Sequence, residues 1–296
     1  MIVRRQHERM QRTIARTAEV QGTGFLTGAT VRLRFLPAPP STGVVFVRTD
    51  LRHRPRISAH VQSVTGTKRR TTIGHPPAQI GLVEHVLAAL AGLKIDNCLV
   101  EINAPEPPGL DGSAQEFVDV LSAAGLVVQP CLRACYGVDE SIAVEADGAT
   151  LAIHPAEGTG LTLSYFLDYG PTSPIGRQVY TGELTPGSFA NELASCRTFL
   201  LLSEAEELRQ QGLGKNTTAA DLLVFGPSGP IDNRLRFANE PARHKVLDMV
   251  GDLALLGADL CGHVVAYRSG HPLNVELIRI LNRRLSVVSF PARAAA

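Results

Sequence analysis

"EHVLAALAGLKIDNCLVEI" (residues 84–102) and "RHKVLDMVGDLALLGADLCGHVVAY" (residues 243–267) read as two copies of one unit. Each begins as an apolar helix with a histidine in its first turn and a glycine towards its end. Each then runs into a strand. The same helix–strand order in both halves predicts internal duplication of a strand-rich α+β unit.

The chain is long enough for two such units. Its 296 residues correspond to roughly two domains of about 150 residues each. Apolar residues make up 44% and charged residues 19%, the balance of an ordinary globular protein. A formal net charge of +1 offers no global field for nucleic acid or an anionic membrane. Aromatic residues at 5%, without tryptophan, argue against base stacking. The five cysteines (Cys98, Cys131, Cys135, Cys196 and Cys261) are scattered. Cys131 and Cys135 have no second pair to complete a zinc knuckle, so all five are expected as buried reduced thiols. "MIVRRQHERMQRTIAR" (1–16) is basic, but no apolar stretch of signal-peptide length follows. No run approaches the ~20 apolar residues of a membrane span. The expected setting is cytoplasmic.

Strands are expected at 31–39 and 42–50, a helix at 81–93, and a strand running into a Pro/Gly loop at 96–112. "SAQE" (113–116) reads as a capping box, with Ser113 as the cap and Glu116 reaching back. A domain boundary is expected within 127–140, dividing the chain into residues 1–130 and 131–296. Strands then follow at 141–146, 150–156 and 161–169, with a largely helical stretch at 187–213 in two parts. A short strand and turn at 221–233 precede a helix at 241–256, a strand at 262–271 and an amphipathic helix at 274–285.

On a helical wheel, Val246, Leu247, Val250, Leu253 and Ala254 fall in one arc. His244, Asp248 and Asp252 form a polar ridge on the other side, one turn apart. Residues at i and i+4 are surface neighbours, so His244 and Asp248 converge on one point. Two readings fit: a solvated face with a His–Asp hydrogen bond, or two ligands of a divalent metal. The second needs a base and a third ligand. "EH" at 84–85 supplies both types, because His85 binds a metal best if Glu84 is left to handle water. The pseudo-symmetry then has a specific meaning. Two related helices, one from each half, would face each other and set His85, His244 and Asp248 around one ion.

At this point the chain resembles a known family. "VEHVLAALAGLKIDNCLVEINAPEPPGLDGSAQEF" (83–117), "CRTF" (196–199), "LRFANE" (235–240), "RHKVLDMVGDLALLGADLCGHVVAYRSGHPLN" (243–274) and "GTGFLTGATVRLRFLPAPPSTGVVFVRTDL" (22–51) are similar to the UDP-3-O-acyl-N-acetylglucosamine deacetylases. These are zinc amidases that commit the pathway of lipid A synthesis. The resemblance implies two similar domains, each a β-sheet layered against helices, with the active site at the domain interface. It implies His85, His244 and Asp248 as metal ligands, with Zn2+ bound by default and Fe2+ also accepted by such a donor set. Glu84 becomes the general base. His271, in "SGH" (269–271), becomes a cation that stabilises the oxyanion, held charged by Asp252. Thr198 would donate to the tetrahedral intermediate, and Lys245 would contact the substrate. The implied partner is an acylated UDP-amino sugar. The expectation is a monomer with at most transient contact with a membrane surface.

Three positions depart from the family pattern. Leu26 stands where the family usually has histidine, and Leu82 where it often has threonine. The third lies in the insert near 199–226, which in the family forms an apolar passage for the acyl chain. Here it has "FLLL" and "LLVF" around "GLGKNTTAADL" (212–222), so Lys215–Thr218 interrupts the apolar character. Two alternatives stay open: a related zinc amidase acting on another N-acetylated sugar, and a non-catalytic relative that binds a sugar nucleotide or lipid.

Overall fold

Alternation of side chains builds the first sheet. In the strand Thr30–Pro37, Val31, Leu33 and Phe35 are fully buried while Arg32 and Arg34 point outwards. The computed structural model describes residues 3–214, 217–218 and 221–289. Within it this strand belongs to a five-stranded sheet whose spatial order is Ala18–Thr23, Thr30–Pro37, Cys98–Ile102, Val44–Arg48, Arg56–Ser58. A second five-stranded sheet runs Ile142–Ala146, Ala149–His154, Gly262–Tyr267, Leu161–Leu167, Gln178–Glu183.

The two sheets share one plan. In each, successive neighbours pair antiparallel, antiparallel, parallel and antiparallel. A parallel pair cannot be closed by a hairpin and needs a crossover. The helices Glu84–Gly92 and Glu240–Leu253 both lie in these crossovers. A further helix follows the crossover strand in each half, Gln115–Ala124 in the first and His271–Ser289 in the second. The duplication expected from the two quoted segments is therefore present as topology. The outer face of the first sheet carries charge pairs, with Glu19 on Arg32 at 2.7 Å and Glu101 on Arg34 at 2.8 Å.

The two crossover helices pack directly on one another, and both are buried nearly all round. Glycine permits the contact. A Cβ on Gly251 would sit 2.0 Å from the Glu84 carbonyl oxygen, closer than any side chain tolerates. At the other end of Glu84–Gly92, a Cβ on Gly92 would meet the Phe189 ring at 2.3 Å.

Several local expectations are corrected. The N-terminal stretch is a strand, Val3–Ile14, paired antiparallel with Leu126–Val138. Most of the region expected as a boundary, 127–138, lies on the second strand of this ribbon. Arg9 on this ribbon bonds Asp96 at 2.7 and 2.8 Å and Asp259 at 2.8 Å, tying residues of both halves together. The capping box does not form: Ala114 caps the helix without a side-chain bond. Ser113 Oγ accepts from the Gln115 amide at 3.2 Å, but Glu116 does not reach back. Asp111, a nearer anionic acceptor, takes both the Ser113 amide (3.0 Å) and hydroxyl (2.6 Å). The stretch 187–213 is in two parts as expected, divided by the strand Phe199–Leu201, which pairs parallel with Leu223–Gly226. Cys131 is half-buried, whereas the other four thiols are buried. The ridge of His244, Asp248 and Asp252 is not solvated: all three are buried.

Gly251→Ala should cost about 3 kcal/mol or more, because the added methyl meets backbone that cannot yield locally. Urea unfolding of the purified variant checks this, and an unchanged midpoint would contradict the close packing.

Candidate metal centre

Helix spacing and the glycine contact together converge three donors. Asp248 Oδ1 lies 3.4 Å from His85 Nε2 and 3.4 Å from His244 Nε2. The ligand atoms of His85, His244 and Asp248 all fall within 4.8 Å of one another. Two tetrahedral ligands at ~2.1 Å from one ion are themselves about 3.4 Å apart. The two histidine rings stand edge to face, their centroids 5.2 Å apart.

The protonation states suit a cation. His244 Nδ1 is 3.0 Å from the Cys196 carbonyl, so an Nδ1–H donates there and Nε2 keeps a lone pair for the centre. Burial drives the His244 imidazolium down to about 3, leaving a neutral ring. Burial alone would raise the Asp248 carboxyl. The Lys245 ammonium opposes it and holds Asp248 well below the usual carboxylate range. Lys245 Nζ donates to the second oxygen, Oδ2, at 2.7 Å.

The Cys196 carbonyl is itself anchored. Arg197 makes a two-pronged bond to the fully buried Glu240, Nε to Oε1 at 2.8 Å and Nη2 to Oε2 at 3.1 Å. Arg236 holds the Ser195 carbonyl at 2.7 Å. "CRTF" and "LRFANE" thus meet to orient one histidine. Sequence reading quoted both motifs but did not single out Arg197 or Glu240.

Beside the donors stands a second group. Glu84 is 2% exposed, and burial raises its carboxyl above the ordinary range, against the opposing pull of His271 and His85. Its Oε2 accepts from the Thr71 amide at 3.1 Å, while Oε1 lies 3.8 Å from His271 Nε2. His271 Nδ1 is 2.8 Å from Asp252 Oδ2. Burial would lower the His271 imidazolium, but Asp252 and Glu84 outweigh it and lift it to about 9.

All of this opens on a cavity of about 580 Å³, lined among others by Glu84, His85, Thr198, His244, Lys245, Asp248 and His271. An adjoining apolar cavity of about 130 Å³ is walled by Phe25, Leu26, Leu200, Leu208, Leu222 and Val224. Leu82 and Thr198 border both spaces. Leu82 holds φ at +56°, a left-handed conformation uncommon for leucine, just before the chain enters the Glu84 helix. Leu26 donates its amide to Glu106.

Every residue singled out from the sequence for this site lines the cavity except Asp252, which is buried behind His271, and there are two local differences. The Thr198 hydroxyl donates to the Gly112 carbonyl at 3.1 Å and not into open space. Lys245 is committed to Asp248, a candidate ligand. Thr71 and Asn274, which flank Asp252, were missed: neither carries a local signal. Lys215 and Asn216 lie outside the described residues.

Comparison with known proteins finds relatives over most of the chain. The model of the UDP-3-O-acyl N-acetylglycosamine deacetylase family matches residues 11–283. A UDP-3-O-acyl-N-acetylglucosamine deacetylase of Nostoc sp. is 42% identical over 90% of this chain and 96% of its own length. The protein of that name from Thermosynechococcus vestitus is 40% identical, with 92% and 93% covered. The one from Brucella melitensis biotype 2 is 36% identical, with 92% and 94% covered.

Chain stripped of metal and dialysed against zinc should take up about one ion per chain. His85→Ala, His244→Ala and Asp248→Ala should each weaken uptake by more than the roughly 10–100-fold typical of losing an outer partner. Metal analysis after dialysis decides it. Undiminished uptake in any of the three would remove that residue from the centre.

Proposed function

The chain belongs to the UDP-3-O-acyl N-acetylglycosamine deacetylase family, and from that premise we propose that it hydrolyses the N-acetyl group of UDP-3-O-acyl-N-acetylglucosamine. The products are acetate and a free 2-amino sugar, in the committed step of lipid A biosynthesis. The observation that carries this reading is the pairing, in one cavity, of a His–His–Asp donor set with a Glu84–His271 pair 3.8 Å apart.

His85, His244 and Asp248 would hold the metal, read as zinc with Fe2+ also accepted, and the metal would supply Lewis acidity to the acetamide carbonyl and to water. Glu84 acts as general base. The Thr71 amide occupies Oε2 and leaves Oε1 to take the proton of the attacking water. Its raised carboxyl makes it a better base than an exposed glutamate. His271 carries its charge at neutral pH, because Asp252 stabilises the imidazolium. It steadies the developing oxyanion and protonates the leaving amine through Nε2. Lys245 keeps Asp248 ionised through the 2.7 Å contact and also borders the cavity where the sugar would bind. Thr198 assists the oxyanion once its hydroxyl turns from Gly112.

The apolar space beside Leu82 and Thr198 supports a place for the 3-O-acyl chain. At ~0.8 kcal/mol per buried CH₂, a ten-carbon chain contributes several kcal/mol. The reading includes residues 1–130 and 131–296 as the two domains, and a cytoplasmic monomer that meets its acylated substrate at most transiently at a membrane surface. No described helix is long and apolar enough to cross a membrane.

Acetate release from the acylated UDP-sugar is the test, with zinc-dependent turnover expected. Turnover of some other N-acetylated sugar alone would overturn the substrate assignment, and binding without turnover would overturn the enzyme reading. UDP-N-acetylglucosamine lacking the acyl group should be a very poor substrate by kcat/KM. Glu84→Gln should keep its metal while kcat falls by roughly 10²–10⁴. The pH–rate profile should be a bell. Activity rises as Glu84 ionises above the ordinary carboxylate range, then falls as His271 loses its proton near pH 9. His271→Ala should abolish the basic limb.

A further inference from the structure

Thr71 has only a backbone part in the chemistry above, yet its side chain is fully buried among the groups that move protons. Its hydroxyl donates to Asp252 Oδ1 at 2.5 Å and lies 3.3 Å from His271 Nδ1. Its carbonyl accepts from the Val83 amide at 3.4 Å, at the entrance to the Glu84 helix. One residue of the first half thus touches the base of its own half and the Asp–His pair of the other.

The partners of Asp252 divide unequally. Oδ2 is taken by His271 Nδ1 and Asn274 Nδ2, each at 2.8 Å. Oδ1 is served by the Thr71 hydroxyl. The terminal torsion of aspartate is soft and roughly two-fold, so bonds at both oxygens are what fix the plane of the carboxylate. A buried carboxylate oxygen that loses its donor seeks another by rotating or by drawing in water.

We propose that Thr71 is a positioning residue, whose hydroxyl locks the Asp252 carboxylate and so holds the His271 imidazole with Nε2 turned towards Glu84 and the cavity. Its role as a positioner for turnover rests on the reading of His271 as the proton donor. The lock itself is geometric, and it closes only when the two halves are docked. The charged groups facing His271 are Asp252 and Asp248 on one helix and Glu84 on the other. With Asp252 free to swing, the imidazolium loses its fixed counter-charge while Glu84 and Asp248 stay where they were.

The test compares wild type, Thr71→Val and Thr71→Ser. The His271 imidazole is titrated by NMR in metal-free protein, and kcat and KM are measured in the metal-loaded enzyme. Thr71→Val should lower the His271 midpoint by about half a pH unit or more. It should lower kcat by roughly 10–100-fold, the usual effect of losing an outer partner, with KM within about threefold. Thr71→Ser, which keeps the hydroxyl, should restore both the midpoint and kcat to within about twofold of wild type. A wild-type titration in Thr71→Val, or failure of serine to rescue, overturns the proposal. If the valine chain does not fold, Thr71→Ala, which adds no bulk, carries the same comparison. Wild type inactive on the acylated UDP-sugar would sink the functional reading alone, since the titration needs no turnover.

Discussion

The close approach of Gly251 to the Glu84 carbonyl governs the rest of the molecule. Two helices can cross at that distance only where one offers no side chain. Asp248 lies one turn before Gly251, and His85 directly follows Glu84. The contact therefore brings a donor from each half into one small volume without any loop having to reach across. Gly92, which receives the Phe189 ring, sets the same helix at its other end. The position of His85 is fixed by packing at both ends of a rigid element, which is how sub-ångström geometry is kept at a site between two domains.

Burial gives the centre its electrostatic character. Three histidines and three carboxylates are confined with one lysine among apolar neighbours, where an uncompensated charge is costly. Three of these groups are held in one state by their surroundings. His244 is neutral because it is buried and bonded to a carbonyl, and Asp248 is anionic because the Lys245 ammonium donates to it. His271 is cationic because Asp252 lies against it. Imidazoles of one fold thus differ in charge at the same pH through their surroundings alone. The Arg197–Glu240 pair extends this order outward by fixing the carbonyl to which His244 bonds.

The site was legible in the sequence where its logic is local. His244 and Asp248 are one helical turn apart, and Glu84 and His85 are adjacent, so both pairs declare themselves before any fold is known. The recurrence of helix, glycine and strand announced the duplication for the same reason. Residues whose role arises only from tertiary contact were silent. Thr71 meets Asp252 across 181 positions of sequence. The Cys196 carbonyl is main chain and has no signature at all. The polar ridge was ambiguous because a wheel separates polar from apolar faces but cannot tell water from a buried charge network. The first strand was missed because its ribbon buries only scattered positions, such as Val3 and Gln11, among many charged ones. Asp111 displaced the expected capping box by a competition that residue spacing does not rank.

The division of donors between the two sheets has a thermodynamic meaning. In the proposed roles, one half would contribute a single ligand and the base; the other would contribute two ligands and the acid. Neither half on its own has the set, so full affinity for an ion would exist only in the docked whole. Any ion that binds the whole and not its parts shifts the equilibrium towards it by mass action, by about 4 kcal/mol at a thousandfold excess over the dissociation constant. Occupancy of the centre would then serve as a checkpoint on assembly: a chain with one half misfolded, or with the halves slipped past each other, would be both inert and unstabilised.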